Sequence, residues 1–304
     1  MVADGLYVHQ LLQTVVRAGL AAEAQQAWAT AAVRLLRAAF PFDSDQVINW
    51  PECERLVPHA LAIADHGQRL EVESERWLWL LGQSANYLYS RGQYEQALIL
   101  QEQTLAGRQR VLGNKHPDTL ISMNNVAETR RSLGDLQGAR EFHEQTLAAR
   151  RRVLGDDHIN TLTSMNNLAG TLQWLGELQG ARELHEQTLA ARRRVLGDDH
   201  SSTLGSMNNL AETRRQLGEL QGARELHEQT LAGFQRVLGK DHPSALTSMS
   251  NLALTREGLG DLQGARELYE QTLAARRRVL GDDHPDTLTS MNNLAAVRRE
   301  LKEL

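Results

Sequence analysis

Three His-Glu pairs, His143-Glu144, His185-Glu186 and His227-Glu228, carry the side chains of a zinc-dependent hydrolytic helix. Such a helix needs a second imidazole four residues after the first, so that both ligands share a face. Those positions are Leu147, Leu189 and Leu231. The imidazoles are therefore read as polar-tipped rings packed between helices. The Asp-Asp-His strings at 156–158, 198–200 and 282–284 offer oxygen and nitrogen ligands. Each has one His, and stacked helix pairs would hold successive loops about 10 Å or more apart. Capping of the following helix by these short polar residues explains them better than a metal. The single cysteine, Cys53, excludes an intrachain disulfide, and with only Arg55 as a nearby cation it reads as a structural thiol. No Ser-His-Asp, Cys-His or paired-carboxylate constellation stands out, and no Gly-rich phosphate loop with Lys and Ser/Thr occurs. The expectation is a non-catalytic chain without a metal or cofactor.

A different signal comes from asparagine. Asn125, Asn167, Asn209, Asn251 and Asn293 recur every 42 residues. At 100° per residue, Thr163, Asn167, Gly170 and Trp174 cluster opposite an apolar stripe. The same offsets give Ile121, Asn125, Glu128 and Ser132, then Gly205, Asn209, Glu212 and Gln216, then Thr247, Asn251, Leu254 and Gly258. The amide recurs while its neighbours vary. A carboxamide both donates and accepts, so a ladder of them can hold the peptide units of an extended polypeptide. Its variable neighbours would read side chains: Glu128 and Glu212 for basic groups, Arg131 and Arg215 for acidic ones, Trp174 for an apolar or cationic one. The competing reading makes the asparagines structural.

The elements that position these residues are repeats. His116, His158, His200, His242 and His284 share the 42-residue spacing, as do Gly134, Gly176, Gly218 and Gly260. In the unit 159–200, Leu162, Met165, Leu168, Ala169, Leu172 and Leu175 mark one helical face. Gly176 ends that helix in a left-handed conformation. A second helix follows with Leu178, Ala181, Leu184, His185, Thr188, Leu189 and Val195 inward, and Gly197 is expected to stop it in the same way. Each helix pair is too small to bury its own apolar face and must stack on its neighbours.

The Leu168-Ala169 pair, Gly176, Ala181, the Asn166-Asn167-Leu168-Ala169 string and the Leu196-Gly197-Asp198-Asp199-His200 linker resemble the tetratricopeptide family in its 42-residue, kinesin-light-chain-like form. The resemblance implies an all-α, right-handed superhelical solenoid of antiparallel helix pairs, with the asparagine face on its concave side. Units fall at about 75–116, 117–158, 159–200, 201–242 and 243–284 within an array over 71–304. Residues 285–304 are expected to be a capping helix with Leu288, Met291, Leu294 and Ala295 inward. Two departures stand out. His143, His185 and His227 replace the usual aromatic that Tyr269 restores, and Arg130, Arg214, Arg256 and Arg298 replace an apolar residue, implying a more polar groove or a looser core. Residues 20–70 read as atypical capping helices. The string Tyr7-Val8-His9-Gln10-Leu11-Leu12-Gln13 resembles the end of a winged-helix module that follows bacterial NB-ARC signalling ATPase domains, so residues 1–19 are read as a remnant of one.

The net charge of −5, from 33 basic and 38 acidic residues spread along the chain, argues against nucleic acid or an anionic membrane as partner. No signal peptide is legible, so the cytoplasm is the expected compartment. The function expected is a protein- or peptide-binding scaffold in a larger signalling protein. The alternatives are an architectural module that self-associates through its terminal repeats, or a small-molecule binder or enzyme with an unrepeated pocket near Trp77, Trp79 and Tyr87.

Overall fold

The computed structural model describes residues 19–41, 43–44, 46–69 and 75–303, and the segment read as a winged-helix remnant lies almost wholly outside them. Among the described residues there are thirteen α-helices and no strands. The chain divides into two compact units, residues 1–142 and 143–304. In the first lie α1 (Ala22–Ala39), α2 (Trp50–Arg69), α3 (Glu75–Ser90), α4 (Tyr94–Leu112) and α5 (Pro117–Ser132). Helix α6 (Leu136–Leu154) contains the boundary. The second unit continues with α7 (Ile159–Trp174), α8 (Leu178–Leu196), α9 (Ser201–Gln216), α10 (Leu220–Leu238), α11 (Pro243–Gly258), α12 (Leu262–Leu280) and α13 (Pro285–Glu303).

In the first unit, Val33 of α1 and Cys53 and Val57 of α2 pack with Trp77, Leu78, Leu81 and Leu88 of α3 in one core. Cys53 is fully buried, and burial raises its thiol pKa. That environment disfavours the reactive thiolate. In the second unit the stripe of α7 is buried as its spacing requires: Leu162, Met165, Leu168, Ala169 and Leu172. On α8 the buried set is Ala181, His185, Thr188, Leu189, Ala191 and Arg192. Val195, expected inward, is 45% exposed. Steps of 4, 3 and 4 from Ala181 through His185 and Thr188 bring Arg192 inward, and the next step of four falls on half-buried Leu196.

Arg192 is buried because it stitches one repeat to the next. Its guanidinium donates to the Ser202 carbonyl at 2.9 Å and to Ser206 Oγ at 2.8 Å. Arg108, Arg150 and Arg276 make the same pair of bonds to Asp118 and Ser122, Asn160 and Ser164, and Asp286 and Ser290. At the equivalent place in α10 stands Phe234, and Ser248 Oγ is buried without a hydrogen-bond partner.

The two glycine stops differ. Gly176 has φ 78°, the left-handed value expected after α7. Gly197, after α8, has φ 85° and ψ 167°. That is an extended mirror-image conformation, open essentially to glycine alone, and it turns the chain sharply where Gly176 continues to coil. The loop after Gly197 corrects another expectation. The cap of α9 is the His200 ring, whose Nδ1 accepts the Ser202 N–H at 3.1 Å. His116, His158, His242 and His284 cap their helices identically. The aspartates hold arginines instead. Asp198 pairs with Arg193 at 2.9 Å, while Asp157, Asp199 and Asp241 pair with Arg194, Arg236 and Arg278, near the end of the second helix of the following repeat. An imidazole lone pair reaches the second residue's N–H from an extended N-cap, which frees the shorter carboxylates for these pairs.

Helix α13 buries Thr287, Ser290, Leu294 and Val297. Leu288 and Met291, expected inward, are 48% and 38% exposed, and Ala295, also expected inward, is exposed too. The equivalent residues of α11, Leu246 and Met249, are buried. α11 packs against α12 on its other side, whereas among the described residues α13 has only α12 against it.

Candidate polypeptide-binding face

The asparagines occupy a row on the first helix of each repeat. Asn167, Asn209 and Asn251 are half-buried, between helix faces that are fully buried and positions that reach solvent. Asn209 Nδ2 donates to Asn166 Oδ1 at 3.0 Å, and Asn251 Nδ2 donates to Asn208 Oδ1 at 3.1 Å. In the first unit Asn125 Nδ2 lies 3.4 Å from Asn86 Oδ1. Within each unit these bonds link one first helix to the next, α3 to α5 in the first and α7 to α9 to α11 in the second, each using one of a rung's two N–H groups. Asn293 holds the same place on α13, where the ladder's acceptor position is Ser250.

The neighbours expected to read charged side chains read each other. Arg131 pairs with Glu128, three residues before it on the same helix. Arg215 binds Glu212 through two bonds of 2.9 and 2.7 Å. Burial alone raises the Glu212 carboxyl, but the hydrogen bond and charge of Arg215 outweigh it and hold it below the usual carboxylate range. These pairs leave the face locally neutral. Trp174 is 70% exposed at the end of α7, and Ile121 is 41% exposed on α5. The arginines that replace apolar residues are also matched. Arg130, Arg214 and Arg298 reach Glu102, Glu186 and Glu270 at 2.8 to 3.0 Å, and Arg256 reaches Glu228 at 3.5 Å.

Beside the row in the first unit are two cavities of about 350 and 370 Å³, sharing Asn86, Gln101, Ile121 and Asn125 in their walls. Trp79 lines the first, whereas Trp77 and Tyr87, the other candidates for an unrepeated pocket, are buried in the core. Nothing in the sequence reading had singled out Gln101. The signal was available, because Gln101 sits 42 residues before His143 and interrupts the ring series of His143, His185, His227 and Tyr269.

Those rings are central to the interior. His185 and His227 are 1% and 0% exposed, and neither imidazole nitrogen of either has a hydrogen-bond partner. Burial pushes His185 down to about 4, with Arg192 adding to the effect. Burial likewise pushes His227 to about 4, opposed by Glu212 and reinforced by Arg215. Both are neutral packing groups. Tyr269, in the same place, donates to Glu257 Oε2 at 3.0 Å. Among the described residues no three His, Cys, Asp or Glu side chains gather in a way that could hold a metal, and no helix is long and apolar enough to cross a membrane.

A tetratricopeptide repeat profile matches residues 78–152, 123–173, 160–234, 202–278 and 256–304. The chain belongs to the tetratricopeptide repeat family. Its repeats resemble the nearly identical TPR-like repeats of a kinesin light chain-like protein from Podosopora anserina, seen in a crystal structure. That comparison gives 34% identity over 66% of this chain and 95% of the other, with a TM-score of 0.56. The fold is shared with BtubC (BKLC) from P. vanneervenii, at 22% identity over 78% of this chain and 92% of that one, TM-score 0.60. It is shared too with the apo form of the quorum sensor NprR from B. thuringiensis, at 15% identity over 96% and 74%, TM-score 0.62. No curated protein sequence matches this one. Tetratricopeptide repeats generally mediate protein–protein interaction and are typically non-catalytic scaffolds.

Proposed function

We infer that the amide-bearing face of the first TPR helices binds an extended polypeptide. Asn125 serves in the first unit and Asn167, Asn209 and Asn251 in the second. The observation that carries this reading is the amide chain itself. The Asn209–Asn166 and Asn251–Asn208 bonds fix the orientation of each rung and consume one N–H. At Asn209 and Asn251 a carbonyl oxygen and a second N–H remain to hold a peptide unit. The self-neutralised Glu128–Arg131 and Glu212–Arg215 pairs lower the cost of laying an uncharged backbone across them. Exposed Trp174 and Ile121 supply apolar contacts beside the rungs. In this reading the chain is the partner-binding part of a larger signalling protein of the NB-ARC type, acts in the cytoplasm and performs no catalysis.

Selection of peptides from a random library against the full chain supplies a ligand for the test. Asn209→Ala combined with Asn251→Ala should weaken its binding roughly 5- to 150-fold, since each lost hydrogen bond is worth about 0.5–1.5 kcal/mol. Unchanged affinity in a folded double variant refutes the ladder. A second reading, self-association through the last helix, rests on exposed Leu288 and Met291. Sedimentation equilibrium tests it: a concentration-dependent dimer lost on Met291→Glu supports it, and a monomer at all concentrations removes it.

A further inference from the structure

We propose that the cavity between α1 and α3 is a site for a phosphate monoester, the group carried by a phosphorylated side chain or a small phosphorylated molecule. The site stands on its own residues and does not depend on the asparagine ladder.

Three arginines line it. Arg34 and Arg37 come from α1 and Arg76 from α3, and the cavity has a volume of about 710 Å³. The core of the first unit gathers them. Val33 and half-buried Leu36 of α1 pack with Trp77 and Leu78 of α3. Arg34 follows Val33, Arg37 follows Leu36 and Arg76 precedes Trp77, so all three rise at the rim of one packing seam, exposed to solvent. Arg34 and Arg37 are three residues apart on one helix, as are Arg76 and Trp79 on the other, so each pair shares a face. The guanidinium of Arg37 lies 5.4 Å from the centroid of the Trp79 ring. That cation–π contact orients it. Phe40, 4% exposed, completes the wall.

None of Arg34, Arg37 and Arg76 pairs with a carboxylate among the described residues, and no Asp or Glu stands among the described residues that line the cavity. Elsewhere the chain answers Arg130, Arg214, Arg256 and Arg298 with glutamates. Three like charges around one cavity repel each other, and an anion relieves them. A guanidinium presents a planar fork to two oxygens of a carboxylate or phosphate. A carboxylate, with two oxygens and one charge, is satisfied by a single fork. A phosphate monoester has three acceptor oxygens and nearly two charges at neutral pH, so it can engage forks from both helices at once. A phosphodiester carries one charge and fewer free oxygens. Trp79 also lines the cavity that contains Asn86 and Asn125, so the anion site adjoins the amide face.

N-acetylphosphoserine methylamide, its aspartate and serine counterparts, dimethyl phosphate and inorganic phosphate are titrated into the full chain by calorimetry. The indole N–H signal of Trp79, assigned with Trp79→Phe, gives the structural readout. The phosphoserine probe should shift that signal and outbind the aspartate and serine probes and dimethyl phosphate. Arg34→Gln and Arg76→Gln should each weaken it about 5-fold, the lower end for a charge-assisted bond open to solvent. Arg152→Gln, which removes one exposed charge from the second unit, should leave it unchanged. Circular dichroism reports that each variant is folded. Inorganic phosphate binding as tightly as the phosphoserine probe assigns the site to a free phosphorylated molecule, and tighter binding of the probe assigns it to a phosphorylated polypeptide. Equal binding of the aspartate probe or dimethyl phosphate, no binding of any phosphate, or an equal loss in Arg152→Gln overturns the proposal. Asn209→Ala with Asn251→Ala should leave probe binding intact, so the ladder and this site fail separately.

Discussion

Replacing both His185 and His227 by Phe should make the protein more stable and remove much of its sensitivity to acid. In the folded chain both imidazoles are held neutral down to about 4, against an ordinary value of 6.5. As pH falls below 6.5 the unfolded chain takes up protons that the folded chain refuses. Stability is therefore full above 6.5 and is lost progressively as pH falls towards 4. A tenfold change in proton affinity is worth about 1.4 kcal/mol. Each ring should thus cost about 2.5 kcal/mol at pH 4.5, and the two together about 5 kcal/mol, a large share of the 5–15 kcal/mol that holds an ordinary domain. At neutral pH the same variant should gain stability, because unpaired buried polar groups cost about 1–3 kcal/mol. Tyr269 shows that a six-membered ring fits the position. Urea unfolding followed by circular dichroism at pH 7.5, 5.5 and 4.5 compares the two proteins. The five capping histidines are present in both and cancel in the difference. An equal acid loss in the double variant, or lower stability at pH 7.5, would refute the account of these rings as neutral, unsatisfied packing groups.

Arg192→Leu should cost about 1–3 kcal/mol in thermal unfolding, because Ser206 Oγ and the Ser202 carbonyl lose their donor; an unchanged melt would show that the stitch is incidental. His200→Ala should cost about 1 kcal/mol by urea denaturation while His200→Ser retains most of it, since only an acceptor at the N-cap is needed. Ending the chain at residue 284 should uncover Tyr269 and Leu273, lowering the melting temperature and raising light scattering; a monomeric, unchanged protein would count against nearest-neighbour stacking.

The 42-residue spacing made the helix pairs legible before any coordinates, because glycine stops and apolar stripes recur without an insertion. The row of asparagines was legible for the same reason. What lay beyond reach was the choice among equivalent polar partners. Asp198 and His200 are both plausible caps, and only the geometry of the loop decides that the ring bonds the backbone while the carboxylate takes Arg193. The Glu212–Arg215 pairing was within reach, since residues three apart on a helix are neighbours. Reading each as a ligand contact overlooked that. Arg192 was hidden by its charge: a buried arginine is unexpected until the serine and carbonyl that receive it are placed in the next helix. Gln101 was hidden by attention to what repeats, because it matters as the place where the ring series stops.

The recurring bonds between repeats reach to set distances along the chain: 14 residues from Arg192 to Ser206, 28 from Glu186 to Arg214, 37 from Asp157 to Arg194, 43 from Asn166 to Asn209. Every one of these joins a repeat to itself or to its neighbour. Excision of residues 201–242 as one block would set Asn251 against Asn166, Arg256 against Glu186, and Arg192 against Ser248, which gains the donor that Phe234 denies it. The same grammar accepts a block added. A gene encoding such a protein can lengthen or shorten by recombination between near-identical stretches while most of its inter-repeat bonds are re-formed, and the span of surface offered to a partner becomes a quantity that selection can tune in whole steps.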